Sequence, residues 1–87
     1  MQFKATISVT LRPSILDPQG KAIQHALHNL GFAAVERVRV GKLIEMRIEA
    51  DSAGEAETLS RSACQRLLAN SVMEDFEIRV EDEVETA

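Results

Sequence analysis

The sequence predicts a small α+β domain whose elements run β-α-β-β-α-β. Three observations carry that reading. Apolar and polar residues alternate near both ends of the chain, and two interior segments repeat apolar residues at helical spacing behind good capping residues. A Gly-Lys pair divides an apolar stretch at mid-chain.

Phe3, Ala5, Ile7, Val9 and Leu11 alternate with Lys4, Thr6, Ser8 and Thr10, which makes 3–11 a half-buried strand. Pro13 ends it. Asp17 suits a helix N-cap, and Pro18 suits the first helical position, where its missing N–H costs nothing. Ile23, Ala26, Leu27 and Leu30 then share one helical face, and Gly31 supplies the left-handed residue that stops the helix. Val35–Val40 reads as a second strand, Gly41-Lys42 as a hairpin turn and Leu43–Ala50 as a third strand. Ser52 and Glu55 have capping-box spacing, and Ala56, Leu59, Ala63, Leu67 and Leu68 stripe a second helix. Asn70-Ser71 breaks that helix, and Phe76–Val80 alternates as the last strand.

This order is the ferredoxin-like one: a four-stranded antiparallel sheet with both helices on one face. Its hairpin contains a conflict. A two-residue turn pairs Val40 with Leu43 and places Val38 and Val40 on Leu43's face. Ile44, Met46 and Ile48 then lie on the opposite face, so both sides of the hairpin are apolar. A bulge or a three-residue loop restores one parity; otherwise another chain covers the second face.

An 87-residue chain holds one domain, expected at 1–80, followed by an acidic tail at 81–87. A domain this small leaves roughly a third or more of its unfolded-chain surface exposed, so its core is marginal. Cys64 is the single cysteine, which excludes an internal disulfide, and no CxxC spacing suggests zinc. Oligomerisation is the remaining way to bury more apolar area. The net charge of −4 is concentrated in Glu81, Asp82, Glu83 and Glu85; the remaining body carries equal numbers of acids and bases. No basic stripe or aromatic platform supports nucleic-acid binding. The start of the chain shows no signal peptide and no stretch reaches membrane-spanning length, so a cytoplasmic location is expected.

Catalytic chemistry finds little support. His25 and His28 project away from the apolar stripe of their helix, as an exposed pair without a third metal ligand. Cys64 lies beside the stripe of the second helix, where cysteine behaves as a small hydrophobe. Glu74-Asp75 pairs two carboxylates, but neighbours entering a strand diverge. Asp17-Pro18-Gln19-Gly20 is explained by capping, with an exposed helix N-terminus as the functional alternative. Gly41-Lys42 lacks the rest of a phosphate-binding loop.

The specific residues go further. Leu11-Arg12-Pro13-Ser14-Ile15-Leu16-Asp17-Pro18-Gln19-Gly20-Lys21-Ala22-Ile23, followed by Ala26-Leu27 and Leu30-Gly31-Phe32, resembles the first half of the PurS family. Val38-Arg39-Val40-Gly41-Lys42 and Cys64-Gln65-Arg66-Leu67-Leu68-Ala69-Asn70-Ser71-Val72-Met73-Glu74 resemble its later blocks, so the likeness runs from about residue 3 to residue 80. The chain departs from the family at Ser71, where Pro is commoner, and at Met73, where Ile is; its acidic end is also longer.

PurS is the small subunit of phosphoribosylformylglycinamidine synthase. The resemblance implies a part in purine biosynthesis, in the glutamine-dependent amidation of formylglycinamide ribonucleotide. It implies a non-catalytic subunit with no active site of its own, a homo-oligomer (dimer or tetramer) that joins a large synthetase subunit and a glutaminase subunit. Such a subunit helps dock the glutaminase and shape the ammonia route. The chain itself binds no cofactor; ATP, Mg and glutamine are used by the complex. Candidate interface residues, taken from loops and element ends of the signature segments, are Asp17, Gln19, Gly41, Lys42, Asn70 and Glu74. The competing reading is a small-molecule-sensing regulatory domain that dimerises around a ligand, which predicts a saturable ligand effect on the isolated protein.

Overall fold

Strand β1 (Gln2–Leu11) is the central strand of the molecule, because both of its edges are taken by antiparallel neighbours. β2 (Gly41–Glu49) lies on one side and β3 (Glu74–Asp82) on the other, in the order β2-β1-β3. The computed structural model describes residues 1–83. Register sorts the side chains as the alternation requires: Ile7 stands opposite Ile44 and Ile78, and Ala5 opposite Met46 and Val80. Lys4, Thr6, Ser8 and Thr10 share the other face with Glu45, Arg47, Glu77 and Arg79. On that polar face Lys4 pairs with Glu45 at 3.3 Å and Arg47 with Glu83 at 2.6 Å.

Helix α2 (Ala53–Ala63) covers the apolar face over β1 and β3. Ser52 caps it, its hydroxyl accepting the Glu55 N–H at 3.1 Å. A short π-helical turn, Cys64–Leu68, continues it. The line of α2 that meets the sheet is Ala56, Ser60 and Cys64, all fully buried, with small side chains that let the helix lie close. Ser60 satisfies its hydroxyl by donating to the Ala56 carbonyl at 2.8 Å. The apolar stripe expected on this helix is thus shifted: Leu59 is half-exposed and Leu67 is 82% exposed.

Helix α1 (Pro18–Asn29) forms as expected, with Asp17 as N-cap, Pro18 in the first turn and Gly31 at φ 99° just past the end. It does not pack on the sheet. Only Gly20 of its residues is buried, while Ile23 is 44% and Leu30 74% exposed. The helix and the segment returning from it form an arm. The described residues span 50 × 35 × 15 Å with a radius of gyration of 16.7 Å, against about 12 Å for a compact chain of this length.

Three corrections to the expected fold follow. Among the described residues the sheet has three strands, not four, and the order is β-α-β-α-β. The two helices do not lie side by side on one face. The Gly41-Lys42 hairpin is absent, because both residues are already paired with β1, opposite Thr10 and Val9. No residues remain for a turn, so 35–40 runs up to β2 without folding back on it. This removes the parity conflict: Ile44, Met46 and Ile48 face the core, and Val38 and Val40 lie outside the sheet. β3 also passes the expected boundary at Val80, since Glu81 and Asp82 pair with Lys4 and Phe3. The remainder of the acidic tail, 84–87, lies outside the described residues.

Candidate functional site

The six candidate residues come from three separate stretches of chain, and the fold brings five of them together. Asp17, Gln19, Gly41, Lys42 and Glu74 line one open depression of about 300 Å³ at the end of the sheet where β1 finishes and β2 and β3 begin. Val9, Leu11, Pro18 and Val40 complete it. Asn70 stands beside the depression, joined to Glu74 through the turn before β3.

Asp17 is the most constrained member. Its carboxylate is buried and accepts the Gly20 N–H at 2.9 Å and the Val40 N–H at 2.8 Å, with Arg39 Nε 4.0 Å away. One oxygen therefore caps α1 and the other holds the chain at the start of β2. The Val40 and Gly20 N–H groups, helped by Arg39, hold the Asp17 carboxyl below the usual range of 3.8. Asn70 and Glu74 likewise organise backbone: the Asn70 Oδ1 accepts the Val72 and Met73 N–H groups, and the Glu74 carboxylate accepts the Asn70 N–H at 2.8 Å. Gln19 and Lys42 are exposed. The depression thus has a rigid hydrogen-bonded floor and two exposed polar side chains at its rim.

Asp17→Asn tests that floor. The amide can accept only one of the two N–H groups, so we expect the unfolding midpoint at pH 7 to fall by several degrees. A carboxyl lowered in the folded state contributes stability that is complete above its unfolded value and is lost as pH falls through the folded one. The gap between parent and variant should therefore close below about pH 4. Thermal unfolding of both proteins from pH 7 to pH 2.5 measures it, and a gap that does not narrow contradicts the assignment.

The other chemistry-bearing groups lie elsewhere. His28 Nε2 bonds the Val35 carbonyl at 2.6 Å, so it ties the return segment to α1, and His25 is exposed. Cys64 is buried under the sheet, and burial pushes its thiol up, away from the reactive thiolate. Among the described residues no three His, Cys, Asp or Glu side chains are placed to hold a metal ion. Sequence reasoning missed Arg39, whose guanidinium donates to the Leu11 and Arg12 carbonyls at the end of β1. Its position between Val38 and Val40 reads as the outward residue of a strand, which concealed it. Sequence reasoning also missed how much apolar surface stays open, on Leu16, Leu30, Phe32, Leu67 and Val72.

The family model for PurS, phosphoribosylformylglycinamidine (FGAM) synthase, matches residues 4–82. This chain belongs to the PurS family. The phosphoribosylformylglycinamidine synthase subunit PurS of Bacillus subtilis is 44% identical over 82 residues, covering 94% of this chain and 96% of that protein. The Methanocaldococcus jannaschii PurS subunit is 38% identical over 79 residues, 91% of this chain and 95% of that one. Among solved structures, Thermus thermophilus PurS matches with a TM-score of 0.86 at 38% identity, covering 97% of this chain and all of that one. A chain in the structure of PurLQS from Thermotoga maritima gives 0.86 at 33% identity, covering 93% of this chain and 99% of that one. These solved PurS chains thus share this chain's fold over nearly its full length. No helix among the described residues is long and apolar enough to cross a membrane.

Proposed function

We propose that this PurS chain is the non-catalytic accessory subunit of a phosphoribosylformylglycinamidine synthase built from separate chains. It joins a large synthetase subunit and a glutaminase subunit, and it promotes ammonia transfer between them during amidation of formylglycinamide ribonucleotide. ATP, Mg²⁺ and glutamine are handled by those partners, in the cytoplasm. The observation that carries the reading is the family match over residues 4–82, joined to a surface made for assembly. Among the described residues, ten large apolar side chains are exposed on a body only 15 Å thick. Surface of that kind marks protein–protein contact.

In this reading the chain works as a homo-oligomer, dimer or tetramer. A second copy supplies the cover that the α1 arm and the outer part of β2 lack, because α2 reaches mainly over β1 and β3. The depression at the sheet end faces the partner subunits. Gln19 and Lys42 make contact at its rim, while Asp17, Gly41, Asn70 and Glu74 hold its shape. Reconstitution tests the function: large and glutaminase subunits are assayed for glutamine-dependent amidation with and without this chain. Activity that requires the chain supports the reading, and activity indifferent to it ends it.

Lys42→Glu tests the rim. The side chain is exposed on β2, so the unfolding free energy should stay within about 0.5 kcal/mol of the parent. The concentration of subunit needed for half-maximal amidation should rise several-fold. An unchanged titration removes Lys42 from the interface.

A further inference from the structure

The arm is attached to the sheet with almost no apolar packing, yet three pieces of chain converge at its base on one ion pair. The Asp17 carboxylate holds the start of α1 through Gly20 and the start of β2 through Val40. The Arg39 guanidinium reaches back to the end of β1, donating to the Leu11 carbonyl and, at 3.0 Å, to the Arg12 carbonyl. Its Nε lies 4.0 Å from Asp17, and both side chains are largely withdrawn from solvent, Arg39 at 24% exposure. Gly20 is pressed against the Val38 carbonyl beside this pair. Farther out, the arm is held together only by its own bonds, from Gln24 to the Glu36 carbonyl and between His28 and the Val35 carbonyl. Those bonds stiffen the arm but do not aim it.

Apolar packing normally fixes the angle between a helix and a sheet. Here it cannot, because the stripe of α1 faces outward. A planar guanidinium that donates to two carbonyls through one nitrogen, Nη2, while its Nε faces a carboxylate fixes direction as well as distance. We propose that the Arg39–Asp17 pair is a clasp that sets the angle of the α1 arm to the sheet, making Arg39 a positioning residue for assembly. It holds the exposed stripe of the arm in the orientation the assembly accepts and adds little to the fold of the sheet. The inference rests on the accessory-subunit reading above for its consequence, though not for its geometry.

Three variants test it: Arg39→Ala, Arg39→Lys, and Arg37→Ala as a charge control on an exposed neighbour. Solution scattering and amide exchange on the chain alone read the arm. Titration of each variant into the large and glutaminase subunits reads assembly. Loss of two charge-assisted bonds should raise the half-activating concentration of Arg39→Ala about tenfold or more, with the same plateau activity. Its far-UV spectrum should keep the sheet, the 35–40 amides should exchange faster, and the scattering profile should change. Arg39→Lys should recover part of the loss, since the ammonium keeps the charge and N–H donors but not the planar geometry, and Arg37→Ala should match the parent.

A parent-like titration and parent-like exchange for Arg39→Ala would overturn the clasp. So would failure of Arg39→Ala to fold, which would make Arg39 a determinant of the fold. Equal loss in Arg37→Ala would reduce the effect to net charge and overturn it too. If the parent chain itself fails to restore amidation, the accessory reading falls. Scattering and exchange then still decide whether Arg39 aims the arm.

Discussion

Replacing Ile7 with alanine should lower the unfolding free energy by about 3 kcal/mol, a large part of the stability of a domain this small. Ile7 is fully buried at the middle of the central strand, between Ile44 and Ile78 and under Cys64. No neighbour can move in to fill the space, because β1 is fixed by ladders on both edges and by α2 above. For a domain of this size the loss corresponds to a fall in midpoint of roughly 12–20 °C. Thermal unfolding at matched protein concentration measures it, since the midpoint of an assembling protein depends on concentration. Ile7→Val is the graded control, at about 1 kcal/mol. A fall for Ile7→Ala no larger than for Ile7→Val would mean that β1 is not the centre of the core.

Gly20→Ala should also have a large effect, although it adds a single methyl group. A Cβ at position 20 would stand 2.2 Å from the Val38 carbonyl oxygen and 2.9 Å from Asp17 Oδ2. Real Cβ atoms do not approach so closely, so the return segment must move away from α1. That movement pulls Val40 from Asp17 and displaces Arg39. We expect a stability loss of about 2 kcal/mol together with a many-fold rise in the half-activating concentration of subunit. Gly54→Ala is the matched comparison. Its Cβ would meet only the Ser52 hydroxyl at 3.9 Å, and in the first turn of α2 the same change should be neutral or stabilise by about 0.5 kcal/mol. Equal behaviour of the two variants in unfolding and in titration would mean that 38–40 does not lie against α1.

Several features were legible in the residues themselves because they depend on neighbours a few positions away. The alternation of Phe3 to Val9 placed β1, and the Asp17 and Ser52 caps placed the starts of both helices where the structure has them. Gly31 marked the end of α1 for the same reason. Five residues nominated from the signature segments line the sheet-end depression, though nothing in the chain said that Gly41-Lys42 and Asp17-Gln19 would meet. Where local reasoning failed, a distant partner was the deciding term. Val35–Val40 has the composition of a strand, yet a strand exists only beside another. Asp17, Gln24 and His28 hold this segment instead.

The stripe on α1 shows the same division. Ile23, Ala26, Leu27 and Leu30 identify a face that gains by burial, and periodicity correctly places those residues on one side of a helix. It does not say which surface will cover them. On α2 the buried line is Ala56, Ser60 and Cys64 and not the leucines, because close approach to the sheet favours small side chains over apolar ones. The residues alone thus carried the resemblance to the family, through its signature segments, and the helix caps and first strand, through short-range pattern. Only the tertiary structure decided that the sheet stops at three strands and that α1 stands off as an arm held by Asp17 and Arg39. Those outcomes depend on which backbone groups find partners across the fold, and sequence spacing does not carry that information.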